Sequence, residues 1–159
     1  MNSPQRGLLK RPTNTPMQRP ATPGATYTKA SGDHCVEETT ACVCELMNAS
    51  ISFHKLHLKV AGPGAHAMHV ALGPLYEGLP DLIDTITEAY QGAAERILVL
   101  PDCCPRSLNS VEEGIVYIRE IYDMICALQD IMCFSEISNE LDNVKRLLGS
   151  TKYKLLFLK

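Results

Sequence analysis

Hydrophobic positions recur every three to four residues along most of the chain, and that period predicts helices. Val36, Val43, Met47, Ile51, His54 and Leu58 keep a rough helical step, which predicts helix A over about 34–61. Gly62-Pro63-Gly64 breaks it. Met68, Leu72, Leu75, Leu79, Leu82, Ile86, Ala89, Ala93 and Ile97 predict helix B, which carries Pro74 and Pro80 as expected kinks. Pro101 to Asn109 reads as a connector. Ser110 and Glu113 have capping-box spacing and open helix C. Val111, Ile115, Ile118, Tyr122, Ile125, Leu128 and Met132 form its stripe. Helix D follows over about 135–156, with Ile137, Leu141, Val144, Leu148 and Leu155. No strand-type alternation competes.

Four amphipathic helices predict an all-α four-helix bundle. The short A–B link makes those helices antiparallel neighbours. A B–C link of about nine residues reaches roughly 30 Å when extended. That is the length of a 20-residue helix, so a long crossover of the ferritin-like kind is expected.

Residues 1–33 do not share the helical period. Prolines 4, 12, 16, 20 and 23 interrupt them, which predicts an extended arm before a bundle over 34–159. The arm also changes the charge picture. The net charge of −3 divides into +5 over residues 1–31 (Arg6, Lys10, Arg11, Arg19, Lys29) and −8 over the rest. A basic arm on an acidic body can contact nucleic acid phosphates or wrap a protein partner, and both readings stay open.

No window approaches the roughly 18 apolar residues of a membrane span. The polar, proline-rich start predicts no secretory signal. Seven cysteines, an odd number, read as reduced thiols in a cytosol-like compartment. Cys42-Val-Cys44 and Cys103-Cys104 lack zinc-ligand spacing and are expected to be buried or inert.

The candidate chemistry lies in His57, His69, Asp84 and Glu88. Two helices meeting at Gly62–Gly64 would bring His57 and His69 to one depth, face to face. Asp84 and Glu88 are one turn apart and share a face. His69 and Asp84 are separated by roughly 22 Å of helix, too far for one metal ion. A second copy of helix B, antiparallel about residues 77–78, would bring His69 of one copy to Asp84 and Glu88 of the other. Gly73 and Gly78 are expected to permit that approach. Two imidazoles and two carboxylates suit iron or zinc. His54, on the apolar stripe, is expected in the core or behind the ligands. Glu77 and Asp81 read as a solvated or interface face.

At this point a resemblance enters. The stretch His54-Lys-Leu-His57-Leu-Lys-Val60-Ala-Gly62-Pro63 resembles the H-x-x-H-W-x-V-x-G-P end of helix A in Dps proteins, the DNA-protecting mini-ferritins. Ala71-Leu72-Gly73-Pro74-Leu75-Tyr76-Glu77 and the segment from Asp81 to Gly92 resemble the small Dps-like proteins of tailed phages. The resemblance implies a metal site shared by two subunits, with His57, His69, Asp84 and Glu88 as ligands and catalytic residues. It implies two-fold dimers in a hollow shell, usually of twelve, and ferroxidase activity that guards DNA against oxidative stress. Some members bind DNA through basic tails, the place of Arg6, Lys10, Arg11, Arg19 and Lys29 here. Location would be cytoplasmic, or in a virion. The chain departs from the family at Gly73, where an Asp is usual, at Leu58, where a Trp is usual, and at Pro74 and Pro80. These departures suit a second expectation: a non-catalytic phage virion or capsid-associated protein on the same fold, its arm docking on phage structural proteins. A metal that only stabilises the dimer is a third.

Overall fold

A computed structural model describes residues 29–102 and 104–158. Four helices follow one another: α1 (Lys29–Lys59), α2 (Ala65–Ala94), α3 (Val111–Ile131) and α4 (Ser135–Phe157). The described residues contain no strand. The basic arm, with Arg6, Lys10, Arg11 and Arg19, lies outside the described residues as far as position 28, whereas Lys29 opens α1.

The buried face of α1 follows the expected one only in its first half, where Val43 is buried and Val36 and Met47 pack on the core. Cys35, Thr39, Cys42, Leu46, Phe53 and Leu56 are buried, whereas Ile51, His54 and Leu58 are exposed. Cysteine, alanine, threonine and serine line the interior on this side between the larger Val43, Leu46, Phe53 and Leu56. Thr39 and Ser52 are accommodated because each hydroxyl donates to a carbonyl one turn back, that of Cys35 (2.6 Å) and that of Asn48 (2.7 Å).

The turn from α1 to α2 depends on Gly62 (φ 86°) and Gly64 (φ 77°), both in the left-handed region where a Cβ is penalised. In α2 the two prolines sit inside the helix on its exposed side. A proline at 80 removes the N–H that would bond the carbonyl of Tyr76. Ser50 on α1 replaces it, its hydroxyl donating to Tyr76 O at 3.1 Å. Two helices are thereby cross-linked through a gap in one of them.

Helix α2 ends at Ala94, not near Ile97 as the stripe predicts. Glu95 turns left-handed (φ 52°), and Gln91 stops the helix twice. Its carbonyl accepts from Arg96 N (3.1 Å) and its side-chain Oε1 from Leu98 N (2.9 Å). Ile97 is 76% exposed, because the apolar run continues beyond the helix in irregular backbone.

The connector therefore runs from 95 to 110, longer than expected. It begins beside Val36 and Thr40, near the start of α1. It ends beside the far end of α1, where Lys59 Nζ donates to Leu108 O at 3.1 Å. Midway, the Arg106 guanidinium pairs with Glu45 of α1 (2.7 Å) and Glu120 of α3 and lies 4.0 Å over the Tyr117 ring. The segment thus crosses the length of the bundle, and α3 starts at the end where α2 started.

Ser110 caps α3, accepting from Glu113 N at 3.2 Å, and Glu113 returns a bond to Asn109 N at 2.7 Å. Gly114 lets α3 approach α1: a Cβ there would lie 2.8 Å from Leu56 Cδ2. Phe53 and Tyr117 stack at the same crossing (5.4 Å). Helix α4 buries Ile137, Leu141, Val144, Leu148 and Leu155 as its stripe predicts. Tyr122, expected in the α3 stripe, is partly exposed beneath the lysines at 145 and 152. Helices α1 and α4 each pack against both α2 and α3. Gly78 serves this packing, since its Cβ position faces Leu147 of α4 at 3.2 Å.

Candidate metal centre

His57 lies six residues before Pro63 and His69 six after it. The antiparallel hairpin makes them opposite numbers, and their rings stack with centroids 3.6 Å apart. The two residues bond reciprocally. His57 Nδ1 lies 3.0 Å from His69 O, and His69 Nδ1 lies 3.1 Å from His57 O. A carbonyl oxygen only accepts, so each Nδ1 carries the proton. Each Nε2 is then left with a lone pair, the form in which imidazole ligates a metal. His69 is exposed and His57 half-buried, so the pair lies at the surface.

Two further rings extend the cluster. Tyr76 stacks flat on His54 (4.2 Å, 8°) and meets His57 edge-on (4.9 Å, 63°). The Tyr76 hydroxyl donates to Glu77 Oε1 at 3.1 Å. Desolvation first, and then Glu77, raise the Tyr76 hydroxyl above its usual pKa. His54 is exposed, which corrects the expectation of a core position. It belongs to an aromatic surface, not to the interior. Sequence reasoning missed Tyr76 and Ser50, because both act through the pairing of α1 with α2. The signal available was equal spacing: Ser50 and Tyr76, like His57 and His69, are equidistant from Pro63.

Asp84 and Glu88 are exposed on α2, one turn apart. They stand roughly 22 Å along the helix from His69. Among the described residues, no three of His, Cys, Asp and Glu are grouped closely enough to hold a metal ion. Within one chain the histidine pair and the carboxylate pair are therefore separate clusters. Gly73, one turn after His69, has open space at its Cβ position and adds no donor.

The cysteines lie elsewhere. The six described form no disulfide. Cys35, Cys42 and Cys44 are buried as expected, whereas Cys104 and Cys133 are exposed. Burial, with Glu45 nearby, pushes the Cys42 thiol up to about 12.

A family model with the description "Family of unknown function (DUF5856)" matches residues 63–155. That range contains His69, Asp84 and Glu88 and stops short of His57. No curated protein and no solved structure matches the chain.

Proposed function

The chain belongs to the DUF5856 family, which covers more than half of its 159 residues, and we propose that it is a ferritin-like protein of the Dps type that binds and oxidises ferrous iron between two copies of itself. The observation that carries this reading is the His57–His69 pair, two imidazoles held with both Nδ1 atoms protonated and both Nε2 atoms free. Surface histidines without a ligand gain little from such fixed orientation. Ligands gain a great deal, because orientation and tautomer are set before the metal arrives.

The exposed side of α2 is self-complementary under a two-fold rotation. Its first half carries His69 and its second half Asp84 and Glu88. An antiparallel copy places the imidazoles of one chain on the carboxylates of the other, twice, with Ile51 and Leu58 as apolar surface to bury. Imidazole nitrogen selects a transition ion over magnesium or calcium, and carboxylate oxygen stabilises the ferric product. Zinc suits the same donors and would act as a competitor. Peroxide is the oxidant. The long crossover, which leaves α2 and α3 parallel, supports the ferritin-like arrangement, and the dimers would build a closed shell of twelve. The arm, through Arg6, Lys10, Arg11, Arg19 and Lys29, would hold DNA without sequence preference.

Chains loaded anaerobically with ferrous iron and given peroxide test this reading through ferric absorbance. His69→Ala and Asp84→Ala each fall to the buffer rate. Refolding the two variants together restores about a quarter of wild-type activity, since half of random dimers are mixed and each mixed dimer has one intact site. Wild type at the buffer rate overturns the enzyme reading. No recovery on mixing overturns the shared site. A second reading, a non-catalytic capsid-associated protein on the same fold, is favoured by Gly73, which leaves the place beside His69 without a carboxylate. It predicts zinc or cobalt binding without iron turnover.

A further inference from the structure

A groove of about 690 Å³ lies between the early turns of α1 and the first residues of the crossover. Helix α1 contributes Val36, Thr40 and Ala41 to it, and the crossover contributes Ile97, Val99 and Pro101, with Glu37 and Arg96 as the charged residues. The Thr40 hydroxyl donates to Val36 O at 2.7 Å, so its polar end is already engaged. Val99 and Ile97, 87% and 76% exposed, are the most exposed large hydrophobic residues among those described. Leu98 between them is buried, and its N–H is held by Gln91 Oε1 at 2.9 Å. Two bare aliphatic side chains fixed beside an apolar groove mark a binding surface, not a scattered exposure.

The chain supplies an occupant. Lys29 opens α1 seven residues before Val36, roughly 10 Å along the helix. The segment Pro16-Met17-Gln18-Arg19-Pro20 is joined to Lys29 by eight residues, which span roughly 26 Å when extended. Pro23-Gly24, among those eight, is a turn dipeptide. The groove is therefore within reach. Methionine is the side chain that best fills irregular apolar gaps. Arg19 matches Glu37, which is exposed and has no ion pair among the described residues. Residues 1–28 carry Arg6, Lys10, Arg11 and Arg19 and no acid, so nothing in them repels Glu37. A tether this short holds the segment at roughly millimolar effective concentration, so a small contact suffices.

We propose that the groove binds the chain's own arm. Pro16–Pro20 folds back on α1, Met17 enters between Val36 and the Ile97–Val99 pair, and Arg19 pairs with Glu37. Prolines at 16 and 20 have no N–H to donate, which suits docking by side chains rather than by a main-chain ladder. Arg6, Lys10 and Arg11 stay outside the groove. The contact holds whether or not the chain oxidises iron.

Methyl NMR of the full chain, labelled at its methionine methyls, tests this. Met17→Leu identifies the Met17 signal by its loss. In wild type that signal lies away from its unfolded-chain position, and Val99→Asp, which alters only an exposed side chain, returns it there. Glu37→Lys lowers the docked fraction several-fold, and adding Arg19→Glu restores it. Hydrogen exchange at residues 97–100 quickens several-fold in Met17→Asp, a second readout that leaves the groove intact. A Met17 signal at the unfolded-chain position in wild type overturns the proposal, as does a shifted signal that Val99→Asp leaves in place. Labelled Val99→Asp chains refolded with unlabelled wild type should keep the unfolded-chain signal. A docked signal in that mixture places the arm in another copy's groove and overturns the fold-back. Protection of residues 97–100 that survives deletion of residues 1–28 assigns the groove to a second copy and overturns it too.

Discussion

His57 and His69 orient each other through main-chain carbonyls, not through their side chains. Substituting either ring leaves its carbonyl in place, so the surviving imidazole keeps its bond and its tautomer. The two imidazoles are thus independently removable. His57→Ala and His69→Ala are expected to lower cobalt(II) affinity by more than the roughly 10–100-fold that loss of a supporting partner costs. Because the rings lie at the surface, unfolding free energy should change by only about 0.5 kcal/mol. Titration calorimetry beside urea melts checks both. A large stability loss with unchanged affinity would make the pair structural.

The bond from Ser50 to Tyr76 O exists because Pro80 lacks an N–H. Ser50→Ala should cost about 1–2 kcal/mol, the penalty of a poorly satisfied carbonyl. In a Pro80→Ala background the residue at 80 can donate to Tyr76 O itself, and Ser50→Ala should then cost under about 0.5 kcal/mol. A double-mutant cycle by denaturant melts reads the coupling. Additive effects would refute it.

Gly114 and Gly149 separate close approach from helix propensity. A Cβ at 114 meets Leu56 at 2.8 Å, whereas one at 149 meets nothing within 4 Å. Gly114→Ala should destabilise by about 1–3 kcal/mol through overpacking of α1 on α3. Gly149→Ala should stabilise by up to about 1 kcal/mol, since alanine favours helix. Thermal melts of the two variants should move in opposite directions.

Cys42 links stability to alkaline pH. Its ordinary value near 9 rises to about 12 on folding, so the folded chain keeps a proton that the unfolded chain releases. The stabilisation is full below pH 9 and is lost as pH climbs towards about 12. Cys42→Ala should flatten that part of the stability curve. Under native conditions near pH 8, iodoacetamide should label Cys104 well before Cys42. Early labelling of Cys42 would contradict its burial.

Helices α3 and α4 were legible because large aliphatic residues fill their inner faces and Ser110 and Glu113 mark a start. Helix α1 misleads in part because small and sulfur-bearing residues share its interior with Val43, Leu46, Phe53 and Leu56, while Ile51 and Leu58 lie outside. The end of α2 misleads for a different reason. Ile97 continues the helical spacing, and the stop comes from Gln91, whose bonds to Arg96 and Leu98 no periodicity reports. Of the site, the facing histidines follow from the turn. The Tyr76 contacts and the Arg106 pairs need the register and the crossover path, which depend on tertiary packing.

The equal spacing of Ser50 and Tyr76, and of His57 and His69, about Pro63 restricts how this hairpin can vary in length. An added residue in one arm turns everything beyond it by about 100°, separating a hydroxyl from its carbonyl and one imidazole from the other. Insertions and deletions between positions 50 and 76 are therefore tolerable only as matched pairs, one in each arm, or at the glycine turn itself.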